Sequence, residues 1–209
     1  MSSPKYRTIG RAGSAEIVIE KSRFIAYLRP VRTREEAGIF FDEIRRRHHD
    51  ARHHVPCFVI GDAMQEKWSS EDGEPQGTAG APMLQLLVSE GVTNAAAIVT
   101  RYFGGIKLGT GGLVRAYTAA LKSAIEDAGI VDVWAGIEIR YRMSYAAFEK
   151  MKAVAARDGY IVSGAEYEDA VTFTISGSAE CEETLRLAAS SAAGADAEPI
   201  SVRTTEIFR

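Results

Sequence analysis

Cysteine is scarce in this sequence, with two residues, Cys57 and Cys181, among 209. They are isolated from each other, and neither belongs to a closely spaced set of the kind that binds zinc. A disulfide framework and a zinc module are therefore not expected. Two isolated thiols are typical of a reducing compartment, so we expect a cytoplasmic protein.

Long apolar runs are also absent. No stretch approaches the ~20 apolar residues that a membrane span needs, and residues 1–13 lack the apolar core of a secretory signal. The chain has 46% hydrophobic and 25% charged residues, which is ordinary for a soluble globular protein. The sequence therefore predicts no membrane contact.

Neither sign of charge dominates the chain. Lysine and arginine number 25 against 28 aspartates and glutamates, for a net charge of −3. This balance excludes a nucleic-acid binder that works by bulk positive charge, so any such contact must rest on local clusters. One cluster, residues 45–54, holds four arginines and all four histidines. His53 and His54 are neighbours in a predicted strand and point to opposite faces, so they do not bind one metal together.

A glycine-rich loop is the most distinctive feature that is present. Residues 98–117 read IVTRYFGGIKLGTGGLVRAY, which predicts a buried strand, a loop with five glycines, and a helix. A helix start of this kind presents free N–H groups that suit an anion, with Lys107 and Arg115 nearby. The loop matches neither the Walker A motif nor the GxGxxG fingerprint. A tight turn that lets the helix pack closely on the sheet remains the alternative.

A polar loop at residues 69–82 carries three carboxylates in four residues: Glu71, Asp72 and Glu74. They suit a hard cation such as Mg²⁺, or a solvated turn around Asp72 and the glycine after it. The length of the loop indicates a function. We predict neither a metal nor a cofactor as a component of the protein.

The order of elements predicts an α+β protein of two domains, divided near residue 135. Residues 1–13 are expected to be a loose arm. The first domain then reads β-β-α-β-α-β-α, which predicts a mixed sheet with helices packed on it. Residues 136–209 read β-α-β-β-α-β, the ferredoxin-like pattern.

Several long motifs carry a resemblance that covers nearly the whole chain. They are KSRFI at 21–25, DARHH at 50–54, SEDGEP at 70–75 with GTAG at 77–80, RYFGGIKLG at 101–109 and GGLV at 111–114. Together they resemble the IMPACT family, in its bacterial YigZ-like branch.

The resemblance implies a ribosomal protein S5 domain 2-like fold for residues 1–135. It implies a ferredoxin-like domain similar to the fifth domain of elongation factor G for residues 136–209. Eukaryotic relatives regulate translation initiation by competing for a protein that activates an initiation-factor kinase, a pathway that bacteria lack. The N-terminal fold also occurs in small-molecule kinases, whose phosphate loop the segment at residues 108–112 resembles, with glycines where small hydroxylated residues are usual.

These observations predict a non-enzymatic binding protein of translation or its regulation, with RNA, the ribosome or translation factors as partners and an oligomeric state left open. The alternatives are a kinase- or hydrolase-like enzyme that uses the acidic loop with a divalent cation, and a protein-interaction scaffold. The residues expected to bind a ligand or nucleic acid are Arg52, His53, Asp72, Glu74, Thr78, Arg101, Tyr102, Gly104, Gly105, Lys107, Gly109, Gly111, Gly112 and Arg115.

Overall fold

A computed structural model describes residues 3–208, which form two compact units: Lys5–Asp132, and residues 133–208 together with residues 3–4. Helices and β-sheets occur in both, which confirms the α+β class predicted from the sequence. Among the helices of this described part, none is both long and apolar enough to cross a membrane.

The first unit is built on a five-stranded sheet in the order β2-β3-β6-β4-β5. The bounds of these strands are Gly13–Ile19 for β2, Ser22–Pro30 for β3, His53–Ile60 for β4, Glu66–Ser69 for β5 and Ala95–Tyr102 for β6. Three helices belong to the same unit: α1 at Arg34–Arg47, α2 at Gly80–Ser89 and α3 at Gly109–Ala128.

Strand β6 lies at the centre of this sheet and is buried on both faces. Ala97 and Val99 pack in one apolar cluster with residues of α2 and α3, whereas Ala96 and Ile98 pack in another with residues of α1. This is why the strand reads as a continuous apolar run rather than as an alternating one. The unit therefore has helices on both faces of its sheet.

Helix α1 begins and ends as its sequence predicts. The Thr33 hydroxyl accepts the Glu36 N–H at 3.2 Å, and the Glu36 carboxylate accepts the Arg32 N–H at 2.6 Å. These bonds satisfy donors that a helix start leaves free. Three arginines in the last turn of α1 face the negative end of the helix dipole.

The structure corrects the predicted mixed sheet and the predicted N-terminal arm. Every strand pairing in the first sheet is antiparallel, because β6 is inserted between β3 and β4. Residues Tyr6–Ile9 form a strand, β1, instead of a loose arm, and the Thr8 hydroxyl donates to Thr93 O at 2.7 Å. The order of strands in the sequence does not show which strands become neighbours in a sheet. The pattern of apolar residues therefore could not predict the antiparallel pairing or the strand β1.

The second unit contains four strands and two helices in the order β-α-β-β-α-β. Strand β7 spans Ile130–Met143, α4 Tyr145–Asp158, β8 Ile161–Tyr167, β9 Val171–Ser178, α5 Glu182–Ala193 and β10 Ser201–Phe208. The strands run antiparallel in the order β10-β7-β9-β8. Alternate residues of β7, including Ile139 and Tyr141, are buried in a cluster with the helices. The division between the units falls inside β7, so the link is strand and not loop.

Candidate functional site

A groove in the first unit brings the acidic loop and the glycine-rich loop together. Its volume is 460 Å³, and it is lined from the start of β4, the acidic loop, the end of β6 and the start of α3. The lining residues are Arg52, His53, Glu74, Pro75, Arg101, Phe103, Lys107, Leu108, Gly109, Thr110 and Leu113. Six of them are among the residues that the sequence predicts to bind: Arg52, His53, Glu74, Arg101, Lys107 and Gly109.

A buried ion pair forms the floor of the groove. Glu74 Oε1 accepts from Arg101 Nη1 at 2.6 Å and from the Tyr117 hydroxyl at 2.7 Å. The side chains of Glu74 and Arg101 are only 4% and 7% exposed. Burial, and then the Glu74 carboxylate, raise the pKa of Tyr117 above its ordinary value, so the phenol remains a donor.

Arg101 keeps unused hydrogen-bonding capacity. Its guanidinium lies 5.3 Å from the centre of the Phe24 ring and 5.5 Å from that of Phe103. Its buried Nε has no hydrogen-bond partner among the described residues. A buried donor without a partner is uncommon in folded proteins and costs ~1–3 kcal/mol. Arg101 is therefore a fixed positive group in the groove lining, paired with Glu74 and with one buried donor left over.

His53 presents one ring nitrogen to the same groove. Its Nδ1 lies 2.8 Å from the carbonyl oxygen of Asp72, which only accepts, so Nδ1 is the donor. Its Nε2 lies 3.9 Å from Glu74 Oε1, and the side chain is 22% exposed. The acidic loop thus sets the orientation of the His53 ring.

The three carboxylates of the acidic loop have separate partners. Glu71 accepts four backbone N–H groups, from residue 77 and residues 79–81, at 2.9–3.2 Å. Asp72 Oδ2 accepts the N–H of His54 at 2.6 Å, and Glu74 pairs with Arg101. Glu71 therefore holds the start of α2, where a negative charge is favourable. In the described part of the chain, no three His, Cys, Asp or Glu residues are grouped to hold a metal ion.

The start of α3 supplies free backbone donors to the groove. Leu108 precedes the helix and makes no side-chain capping bond. The first N–H groups of a helix have no partner within it, so those of Gly109, Thr110 and Gly111 are available. Gly109 and Thr110 line the groove, and Lys107 adds a full positive charge beside them. This arrangement suits an anion.

The structure explains why two positions of the loop need glycine. A Cβ on Gly104 would lie 2.0 Å from the carbonyl carbon of Lys21, and the Gly104 N–H donates to Ser22 Oγ at 3.1 Å. Gly105 has open space around it but a φ of +88°, a conformation that side chains rarely adopt. The alternative of close packing therefore accounts for Gly104, and backbone conformation accounts for Gly105.

Other predicted site residues lie outside the groove lining. Thr78 is buried, and its hydroxyl donates to a carbonyl of its own loop at 2.7 Å. Gly112 and Arg115 line a second cavity of 470 Å³, which shares Lys107 and Leu108 with the groove. Gly111 lies in the first turn of α3, where a Cβ would come 3.5 Å from the Arg115 guanidinium.

Tyr102 belongs to a different polar network. Its hydroxyl donates to Asp50 Oδ1 at 2.9 Å and lies 3.0 Å from His48 Nδ1, while His48 Nε2 lies 2.8 Å from the Tyr27 hydroxyl. Burial, and then the positive charge of Arg47, lower the pKa of His48. The basic cluster predicted from the sequence thus divides: Arg52 and His53 line the groove, whereas His48 does not.

Comparison with known proteins decides the family. The Impact N-terminal domain profile matches residues 20–125 of this chain. The chain belongs to the IMPACT family. Every residue that lines the groove lies inside the matched stretch.

The relatives place it in the YigZ-like branch of that family. IMPACT family member YvyE of Bacillus subtilis is 46% identical over 127 residues, which cover 61% of this chain and 58% of the relative. IMPACT family member YigZ of Escherichia coli is 49% identical over 109 residues, which cover 51% and 53%. The chain thus spans a little over half the length of these relatives. A crystal structure of a hypothetical protein is similar over 95% of this chain and 97% of that one, at 28% identity and a TM-score of 0.59.

Five groove residues of this IMPACT domain were not among the predicted binding residues: Pro75, Phe103, Leu108, Thr110 and Leu113. All five lie in or between the motifs that carry the family resemblance. Their positions were therefore available, but a sequence does not show whether an apolar residue, a proline or a threonine in such motifs serves packing or a ligand. The bond from Tyr117 to Glu74 joins residues 43 positions apart in the chain, so it is visible only in the tertiary structure.

Proposed function

We propose that this IMPACT-family protein is a non-enzymatic binding protein of translation or its regulation, which holds a phosphate of nucleic acid in the groove. The observation that carries the proposal is the uncapped start of α3 facing the same groove as Arg101, whose Nε is buried without a partner among the described residues. Backbone N–H groups and a fixed guanidinium both suit phosphate oxygens.

Two exposed cations extend this positive surface. Arg52 and Lys107 line the groove, and both are exposed to solvent. In a chain of net charge −3, they concentrate positive charge at one place. Contacts of this kind give affinity and position without reading bases. RNA or a component of the translation machinery that exposes RNA is the partner we propose.

The fold of the second domain supports the proposed link to translation. The antiparallel order β10-β7-β9-β8 with two helices supports a ferredoxin-like second domain, which in this family is similar to the fifth domain of elongation factor G. We propose the S5 domain 2-like fold for the first domain, with the domains divided near residue 135. The unpaired cysteines, one of them fully buried, support a cytoplasmic location.

The alternative function, an enzyme that uses the acidic loop with a divalent cation, is less well supported. Glu71, Asp72 and Glu74 have separate partners, and the described residues of the acidic loop form no group that could hold a metal ion. His53 faces the groove and is the group that favours catalysis. A test is Mg²⁺ with ATP or GTP in thermal melts, where saturation at a hundred times the Kd adds ~2.7 kcal/mol. A shift lost in Asp72→Asn would favour the enzyme.

The binding test measures the affinity for single-stranded RNA over a salt series. We expect weak binding that falls steeply as salt rises. Lys107→Ala should weaken binding to unrelated sequences equally and reduce the salt slope by about 1. Lys122→Ala is the control, because it removes the same charge from an exposed position of α3 outside the groove. No retention above an acidic control protein, or equal effects of both variants, would refute the proposal.

A further inference from the structure

We infer that the groove takes a terminal ribonucleotide, with its 5′-phosphate at the start of α3 and its free 2′,3′-diol against His53 and Glu74. The inference rests on the proposed function, since it assumes that a phosphate occupies the groove, and it adds which part of a nucleic acid enters. Three features of the lining carry it: adjacent acceptors, adjacent donors, and an apolar wall.

The first feature is a pair of acceptors, His53 Nε2 and the Glu74 carboxylate, whose Oε1 lies 3.9 Å from Nε2. Because His53 Nδ1 donates to Asp72 O, Nε2 is the nitrogen that accepts in the neutral form of the ring. Its neighbour is the carboxylate of Glu74. Two acceptors cannot satisfy each other, so the space beside them suits a ligand with two neighbouring donors.

The Glu74 carboxylate is held in place for this role. Arg101 and Tyr117 both donate to Oε1, whereas Oε2 accepts no hydrogen bond from the described residues. The carboxylate therefore keeps its position while Oε2 remains free. Hydrogen bonds to a charged acceptor are stronger than those to a neutral one.

A cis-diol is the part of a nucleic acid that fits this pair. Its two hydroxyls are neighbours and each donates one proton, one for Nε2 and one for the carboxylate. An internal nucleotide of RNA offers only the 2′-hydroxyl, because its 3′ oxygen is esterified. DNA lacks the 2′-hydroxyl altogether, which is the general means of telling RNA from DNA. The acceptor pair thus favours a free 3′ end of RNA or a free ribonucleotide.

The rest of the lining suits the other parts of one nucleotide. Gly109 and Thr110 present backbone N–H groups for the phosphate. Phe103, 42% exposed, lies with Leu113 in the same lining and offers a surface for a base without selecting its identity. The volume of 460 Å³ is within the range of small-ligand sites.

The test changes one hydroxyl at the end of a short oligouridylate. Affinities are compared for an oligomer with a 3′-terminal ribose, for one whose last nucleotide alone is 2′-deoxy, and for one that ends in a 3′-phosphate. We expect the first to bind about tenfold more tightly than either of the others. Uridine 5′-monophosphate as competitor distinguishes a free nucleotide from an RNA end as the ligand. If it displaces the oligomer at a concentration similar to that of the oligomer itself, the ligand is a free nucleotide; if it displaces the oligomer only weakly, the ligand is an RNA end.

Two variants assign the effect to the groove. In His53→Ala, the preference for the terminal diol should disappear while the salt-dependent part of binding remains. His54→Ala is the matched control, because that ring contacts Thr100 and is absent from the groove lining. The readout is a ratio of affinities, so a general loss of stability does not imitate it.

The outcomes separate the inference from the proposed function. Equal binding of the diol and deoxy ends, with salt-dependent binding intact, overturns the inference and leaves the phosphate-binding role standing. A diol preference that survives His53→Ala overturns the assignment to this groove. Failure of every oligomer to bind refutes the proposed function and the inference with it.

Discussion

Removing the charge of Glu74 tests the buried ion pair on which the groove is built. Glu74→Gln keeps the size of the side chain but leaves the Arg101 guanidinium, which is 7% exposed, without its anionic partner. Breaking a buried pair on one side costs about 3–5 kcal/mol, because an uncompensated charge stays buried. Removing both charges costs less, so Glu74→Gln combined with Arg101→Met should be more stable than Glu74→Gln alone.

The assay is urea unfolding followed by tryptophan fluorescence. The chain has two tryptophans. In a Trp134→Phe background, Trp68 of β5 remains and reports on the first unit. The control is Glu66→Gln, which breaks the exposed pair between Arg34 and Glu66, whose side chains are 69% and 43% exposed. An exposed pair contributes about 0–1 kcal/mol.

A loss of stability in Glu74→Gln no larger than that in Glu66→Gln would refute the reasoning. It would mean that the Arg101 charge reaches solvent or another anion. A double variant less stable than Glu74→Gln alone would likewise show that the guanidinium packs favourably without its partner.

Three further predictions concern the scaffold of the site. Gly104→Ala should lower the free energy of unfolding strongly because of the clash with Lys21, whereas Gly38→Ala in α1, with open space around it, should raise it by ~0.5–1 kcal/mol; similar effects would contradict the packing reason. Glu71→Gln weakens four hydrogen bonds at the start of α2 and should cost about 1–3 kcal/mol in urea unfolding, and an unchanged midpoint would show that water replaces the carboxylate. The pKa of His48 is lowered from 6.5, so the unfolded chain binds the proton more tightly and stability should fall as pH drops below 6.5; His48→Gln should flatten this part of the pH profile, and an unchanged profile would contradict the burial of the ring.

Local patterns accounted for much of the fold. The periodicity of α1 and α3, the cap at Thr33 and the apolar run of β6 each depend on residues close together in the chain. The same patterns failed for β1 and β5, which are four residues long and carry too few side chains to show a period. They also failed for the direction of the strands, because antiparallel and mixed sheets use the same residues.

The glycine loop shows where local reasoning reached its limit within the site. The same five glycines support two interpretations of the loop, an anion site and close packing of the helix on the sheet. Close packing accounts for Gly104, where a Cβ would meet the backbone of Lys21, whereas Gly109 lies at the start of α3 in the groove lining. A glycine in a sequence carries no record of what lies beside it, so only its surroundings decide between the two.

By itself the sequence determined the α+β class, the family motifs and the residue types that can meet a phosphate, because these depend on composition and short spacing. Tertiary structure alone decided that Glu71 holds a helix, that Glu74 pairs with Arg101 and that His53 turns one nitrogen to the groove. Three carboxylates within four residues look alike in a sequence. Their roles differ because each meets donors that the fold brings from other elements, and burial then decides which charge must be paired.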